Sequence, residues 1–209
     1  TSSSPVGLSM GHFGYAGGDL NANTESLKPE RTETYEVGTK WHVLHDLALT
    51  AAVFHTIKTN ARVNVGPSVE NAGRAVVNGF ELGFAGNVTD KWNVFGGYTF
   101  LDAEQTRVGD STDQNAVGSA GSKGKQLHGT PKHAASFWST YKVLPRVTFG
   151  GGLFYTGKVY ADPSNNGYLP SYVRFDLMAK YNISQNLDVQ LNVQNLTDKR
   201  YFNTTYFRH

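Results

Sequence analysis

The chain has 209 residues, enough for one sizeable domain or two small ones, with 23 Gly, 11 Tyr, 12 Phe and no Cys. Only 17% of residues are charged and the net charge is +2, so nothing points to nucleic acid, and disulfide frameworks and thiolate metal sites are excluded. No apolar run of about 18 residues occurs, which excludes transmembrane helices but not a membrane barrel, whose strands are only half apolar.

Segments 32–41, 47–59, 75–87, 91–104, 127–142, 146–160, 170–182 and 186–201 predict eight strands, and helical periodicity is absent. In the first, Tyr35, Val37, Thr39 and Trp41 share one side while Glu36 and Lys40 take the other, because strand side chains change face at every residue. The second contributes Lys58, and the third sets Leu82 and Phe84 against Glu81. Trp92, Val94, Gly96, Tyr98 and Phe100 alternate through the fourth, and Ala135, Phe137, Ser139 and Tyr141 through the fifth. The sixth holds Gly150, Gly151 and Gly152, without the strand-to-helix context of a phosphate loop; they read as easing curvature or permitting close approach. Lys158 falls on its polar side. The seventh sets Val173, Phe175, Leu177, Ala179 and Tyr181 against Arg174, Asp176 and Lys180. The eighth sets Leu187, Val189, Leu191 and Val193 against Asp188, Gln190 and Asn192.

The connections alternate in length. "HVLHD", "VTD", "VLP" and "ISQ" are short, whereas "NARVNVGPSVENAGR", "QTRVGDSTDQNAVGSAGSKGKQ" and "ADPSNNGYL" are long and polar, and residues 1–31 form a further long one. In a run of antiparallel strands every second connection lies at the same end, so this sorting matches outer-membrane barrels, with short periplasmic turns and long extracellular loops. Trp41, Trp92, Tyr141 and Tyr181 each abut a short turn, where a girdle of amphipathic rings belongs. Glu36, Glu81, Arg174, Asp176, Asp188 and Gln190 have the opposite parity and are expected to face a polar lumen. The fold class is therefore all-β, an antiparallel transmembrane barrel present in part. A soluble carbohydrate-binding sandwich would share the alternation but would bury the apolar set internally.

The blocks "RTETYEVGTKW", "VNGFELGFAGNVTDKWNVFGGYTFLDAE", "GTPKHAASFWSTY", "FYTGKVY" and "LPSYVRFDLMAKYNISQNLDVQLNVQNLTDKRYF" resemble, in order, the C-terminal barrel part of TonB-dependent outer-membrane receptors, above all the ferric-siderophore class. The resemblance runs from about residue 27 to 202. It implies about eight strands of a barrel of about 22, plugged by an N-terminal domain. It also implies a bacterial outer-membrane location, a ferric siderophore as ligand and TonB as the source of energy for import. On this reading the 209 residues are the C-terminal portion of the barrel domain of a longer protein, and the plug, the TonB box and the final strand are expected elsewhere in that protein. TonB would then act through that N-terminal region, and outer-membrane lipid would surround the wall.

Binding and transport, without catalysis or a resident cofactor, are what this resemblance implies. His42 and His45 lie in a turn without carboxylate support at metal spacing. No Ser/His/Asp or acidic constellation suggests an enzyme embedded in the barrel. A ferric catecholate or hydroxamate presents rings, oxygens and negative charge, which suit cations and aromatic faces on long loops. Arg107, Lys123, Lys125, His128, Tyr160 and Tyr168 are the candidates. The alternatives are a passive porin, or a TonB-dependent transporter for haem, cobalamin or a glycan.

Overall fold

The computed structural model describes residues 29–44, 46–65, 68–110 and 120–202. The strands are β1 (Arg31–Leu44), β2 (Leu47–Val65), β3 (Ser68–Thr89), β4 (Trp92–Arg107), β5 (His133–Leu144), β6 (Val147–Thr156), β7 (Val159–Tyr160), β8 (Tyr168–Leu169), β9 (Tyr172–Asn182) and β10 (Asp188–Val193). Eight of them make one antiparallel sheet in the order β1-β2-β3-β4-β5-β6-β9-β10, and β7 and β8 form a separate ribbon. The expected meander is therefore present, and among the described residues the sheet is open at β1 and β10.

Register decides which side chains share a face. Trp41 pairs with Leu49, Leu49 with Phe84, Phe84 with Gly96, Gly96 with Phe137, Phe137 with Leu153 and Leu153 with Phe175. Directly opposed residues point the same way, so the apolar sets of successive strands merge into one continuous surface. The alternate line runs Lys40, Thr50, Gly83, Gly97, Ser136, Phe154 and Arg174. Val37 is 75% exposed, Trp41 63% and Leu191 64%. Among the described residues these side chains stand uncovered, where the inner face of a sandwich would bury them.

Trp41, Trp92, Tyr141 and Tyr181 lie at the end of the sheet where the connections are short, and Trp92 stands opposite Tyr141. From Trp92 to Phe100, or from Tyr181 to Val173, the apolar surface runs about 26 Å along the strand at about 3.3 Å per residue. At a tilt of about 40° it is about 20 Å tall, close to the height of a barrel's apolar band.

Beyond Phe80 and Phe100 the faces exchange polarity. His55, Asn78, Asp102 and Glu104 continue the apolar line by register, and on the other face Ala75, Val77, Leu101, Ala103 and Leu127 form a buried cluster with Phe54 packed against it. Each larger aliphatic side chain buried there contributes about 1.5–3 kcal/mol.

The expected strand limits fail in four places. The stretch 60–74, expected as a loop, is mostly ladder: β2 and β3 stay paired to Val65 and Ser68, with irregularities between Thr59 and Ala61 and between Ala61 and Val63. Asn60 takes φ 57° and its carbonyl accepts a bond from Asn71 Nδ2 at 2.8 Å, so a bulge absorbs the polar residues that read as a loop. From His55 to Val65 the pair continues about 33 Å along the strand, past the apolar band. Residues 127–132, expected as strand, only lean on β4, because Gly129 has φ 71° and Pro131 has no N–H to give. The segment 146–160 divides at Gly157 into β6 and β7. The last strand ends at Val193, where Asn195 (φ 52°) and Asp198 (φ 48°) turn the chain. Residues 1–28 and 111–119, both assigned to long connections, lie outside the described residues, as does His45.

Candidate ligand-binding site at the long-connection end

Two segments meet above the sheet. Segment 120–132 follows the upper part of β4, with Gln105 N donating to Lys125 O (3.1 Å), Leu127 N to Ala103 O (2.9 Å) and Leu101 N to Lys132 O (2.9 Å). Segment 157–169 carries the β7/β8 ribbon, and its turn is organised by Asp162, whose carboxylate accepts the N–H groups of Asn166 and Gly167. This Asx-type turn has a sequence signal in "DPSNNG", since Asp, Pro, Asn and Gly each suit a tight turn.

Asn165 joins the two segments. Its Oδ1 accepts from Gln126 N (3.0 Å) and its Nδ2 donates to Gln126 O (2.9 Å), so one side chain mimics a strand partner. Its φ of 61° is a conformation that Asn tolerates. Gly129 N donates to Tyr160 O at 2.9 Å. His128 is held half-buried beside this seam. Burial pushes its imidazole below the usual range, against the smaller opposing pull of the Asp162 carboxylate.

Next to the seam Tyr160 pairs with Tyr168, and Lys158 Nζ lies 4.4 Å and 5.4 Å from the two ring centroids. It also donates to Tyr160 Oη at 2.8 Å, which places the ammonium towards the oxygen end of that ring. The geometry offers a cation flanked by two phenols, with Lys158 and Tyr168 exposed. Strand parity alone puts Lys158 with the lumen-side set and does not bring it beside Tyr160 and Tyr168. The strand break at Gly157 moved it.

The other candidates fall into two groups. Lys123 and Lys125 are exposed on segment 120–132, and Arg107 ends β4 opposite Arg74. The structure thus brings His128, Tyr160 and Tyr168 to one seam, while Lys123 and Lys125 lie earlier on segment 120–132 and Arg107 stands at the end of β4. Among the described residues no group of three or more His, Cys, Asp or Glu is placed to hold a metal ion.

The mixed face of the sheet carries Glu36, Glu81, Arg174, Asp176, Asp188 and Gln190. Lys180 pairs with Asp188 at 3.2 Å. Arg174 Nη2 pairs with Asp176 Oδ2 at 2.9 Å, and Asp176, only 5% exposed, also accepts Asn195 N at 2.8 Å. The turn after β10 is thereby fastened to β9, with the Tyr172 and Tyr201 rings stacked 4.2 Å apart. This face is less uniformly polar than expected. Trp138 lies between Phe95 (6.5 Å) and Phe154 (6.4 Å), and Arg174 stacks 4.8 Å from Phe154. Gly152 makes room for it, since a Cβ there would run into the Trp138 ring. The glycine run thus accommodates a cross-strand ring.

Residues 3–196 match the family model described as TonB dependent receptor-like, beta-barrel. The chain belongs to this family. TonB-dependent receptor barrels of this kind lie in the bacterial outer membrane. The chain is 48% identical over its whole length to the probable TonB-dependent siderophore receptor PiuA of Acinetobacter baumannii, and 34% identical over 96% of its length to the catecholate siderophore receptor Fiu of Escherichia coli K12. It spans 28% and 26% of those two receptors. The crystal structure of the Acinetobacter receptor superposes with a TM-score of 0.81 over 88% of this chain and 26% of that one. The closed form of the Escherichia coli ferric-catecholate receptor gives 0.70, again over 88% and 26%. The sheet is a portion of such a receptor's wall.

Proposed function

We propose that this chain forms part of the wall and extracellular mouth of a receptor that binds a ferric siderophore at the cell surface and imports it with energy supplied through TonB. The observation that carries the reading is the 48% identity, across the whole chain, to a protein named as a siderophore receptor. The continuous exposed apolar face meets lipid, with Trp41, Trp92, Tyr141 and Tyr181 as the girdle at the short-turn end. Glu36, Glu81, Arg174, Asp176, Asp188 and Gln190 face the lumen. The ferric chelate is cargo, and the protein performs no chemistry on it. TonB engages the receptor through its N-terminal region.

Lys158, Tyr160 and Tyr168 are the contacts favoured for the ligand, because a cation between two phenols suits an anionic chelate with aromatic character. Arg107, Lys123, Lys125 and His128 supply further donors around them. Removing the gene for the full receptor should abolish uptake of radiolabelled iron from its cognate chelate under iron limitation, and a plasmid copy should restore it only in cells that have TonB. Uptake independent of TonB would identify a porin. Restoration of haem, cobalamin or glycan uptake without ferric chelate would transfer the protein to another substrate. Lys158→Ala should weaken chelate binding about fivefold to tenfold, with surface expression unchanged.

A further inference from the structure

Segments 120–132 and 157–169 are separated in sequence by β5 and β6, yet their backbone groups satisfy one another. Asn165 closes both polar groups of Gln126, and Gly129 donates to Tyr160. Gly121 approaches Ser164 so closely that a Cβ would lie 3.2 Å from its Oγ, and Ser122 and Ser164 are 1% and 8% exposed. These bonds cross from one segment to the other, so lifting either one breaks the bonds that hold its neighbour in place. We propose that the two segments form a single strap at the mouth that docks and lifts as one body, and that acidification releases it through His128.

His128 is half-buried and stands next in the chain to Gly129, whose N–H crosses the seam to Tyr160 O. The charge that bears on it is that of Asp162 on the turn of the other segment, which favours the imidazolium, and burial outweighs it. The sign follows. A base whose docked pKa is depressed binds protons more readily once released, so docking is fullest above the ordinary histidine pKa of about 6.5 and weakens as pH falls below it. Asp162 itself is fixed by the Asn166 and Gly167 amides, so it stays in place while the histidine titrates. This inference does not depend on which ligand the receptor takes.

Hydrogen exchange followed by mass spectrometry on the full-length receptor in lipid nanodiscs tests it, with rates corrected for their intrinsic pH dependence. Peptides covering 125–129 and 160–167 should share one protection factor, which falls together by about threefold to tenfold between pH 7.5 and 5.5. Asn165→Ala should deprotect both segments by similar factors at pH 7.5, and His128→Gln should stay docked and lose the acid response. The proposal is overturned if Asn165→Ala loosens only its own segment, or if His128→Gln keeps the full acid loss. Should His128→Gln be undocked at both pH values, Asp162→Asn decides: removing the carboxylate withdraws the charge that favours the docked imidazolium, so the loss of protection from pH 7.5 to 5.5 must grow, and an unchanged loss refutes the role of His128.

Discussion

Leu177→Arg tests the facing of the whole sheet. Leu177 is 45% exposed on the apolar surface and stands opposite Gly151 and Val193. It lies midway between Val173 and Tyr181, about 13 Å along the strand from each, so on the proposed reading it sits at the bilayer midplane. An arginine on the lipid side at that depth costs about 2–4 kcal/mol. Snorkelling offers little relief, because a side chain about 6 Å long cannot reach either interface from there. Asn192→Arg is the matched control: it adds the same charge to the mixed face opposite Met178, at an exposed position, and should cost no more than about 0.5 kcal/mol. The difference corresponds to roughly a hundredfold change in the folding equilibrium. Urea titration of the full receptor folding into lipid vesicles measures both variants against wild type. Equal losses at the two positions, or a larger loss at Asn192, would refute the assignment of faces and with it the girdle.

Asp176→Ala should also destabilise, by about 2–3 kcal/mol, because it leaves Arg174 without its carboxylate and Asn195 N without its acceptor; limited proteolysis should then cut the turn after Val193 faster than in wild type. Gly152→Val should displace Trp138 from between Phe95 and Phe154, costing about 1–3 kcal/mol and shifting its fluorescence, whereas Gly124→Ala, at an exposed site on the upper segment, should leave that signal unchanged. The 209 residues expressed alone should aggregate or pair edge to edge, since among the described residues β1 and β10 are the open edges of the sheet, with N–H and C=O groups facing no further strand; a monodisperse soluble monomer by light scattering would count against the barrel reading.

Alternation alone determined the meander, the facing of its side chains and the end at which the short turns lie. Those properties follow from the period of two in a strand and from the parity of antiparallel connections, and both are local. Tertiary structure decided the rest. The ladder of β2 and β3 extends through Asn60 because pairing across the hairpin and a bulge outweigh the loop character of "NARVNV", while "QLHGTP" loses its ladder where Gly129 and Pro131 break it. The exchange of wet and dry faces above Phe100 could not be read from β3 and β4 themselves, since Val77, Leu101 and Ala103 are covered by Leu127 from a segment remote in sequence. Lys158 reached Tyr160 and Tyr168, and Asn165 reached Gln126, through contacts that depend on where two connections come to rest. Strand parity is set residue by residue, but the packing of one loop on another depends on distances that no single stretch of chain contains.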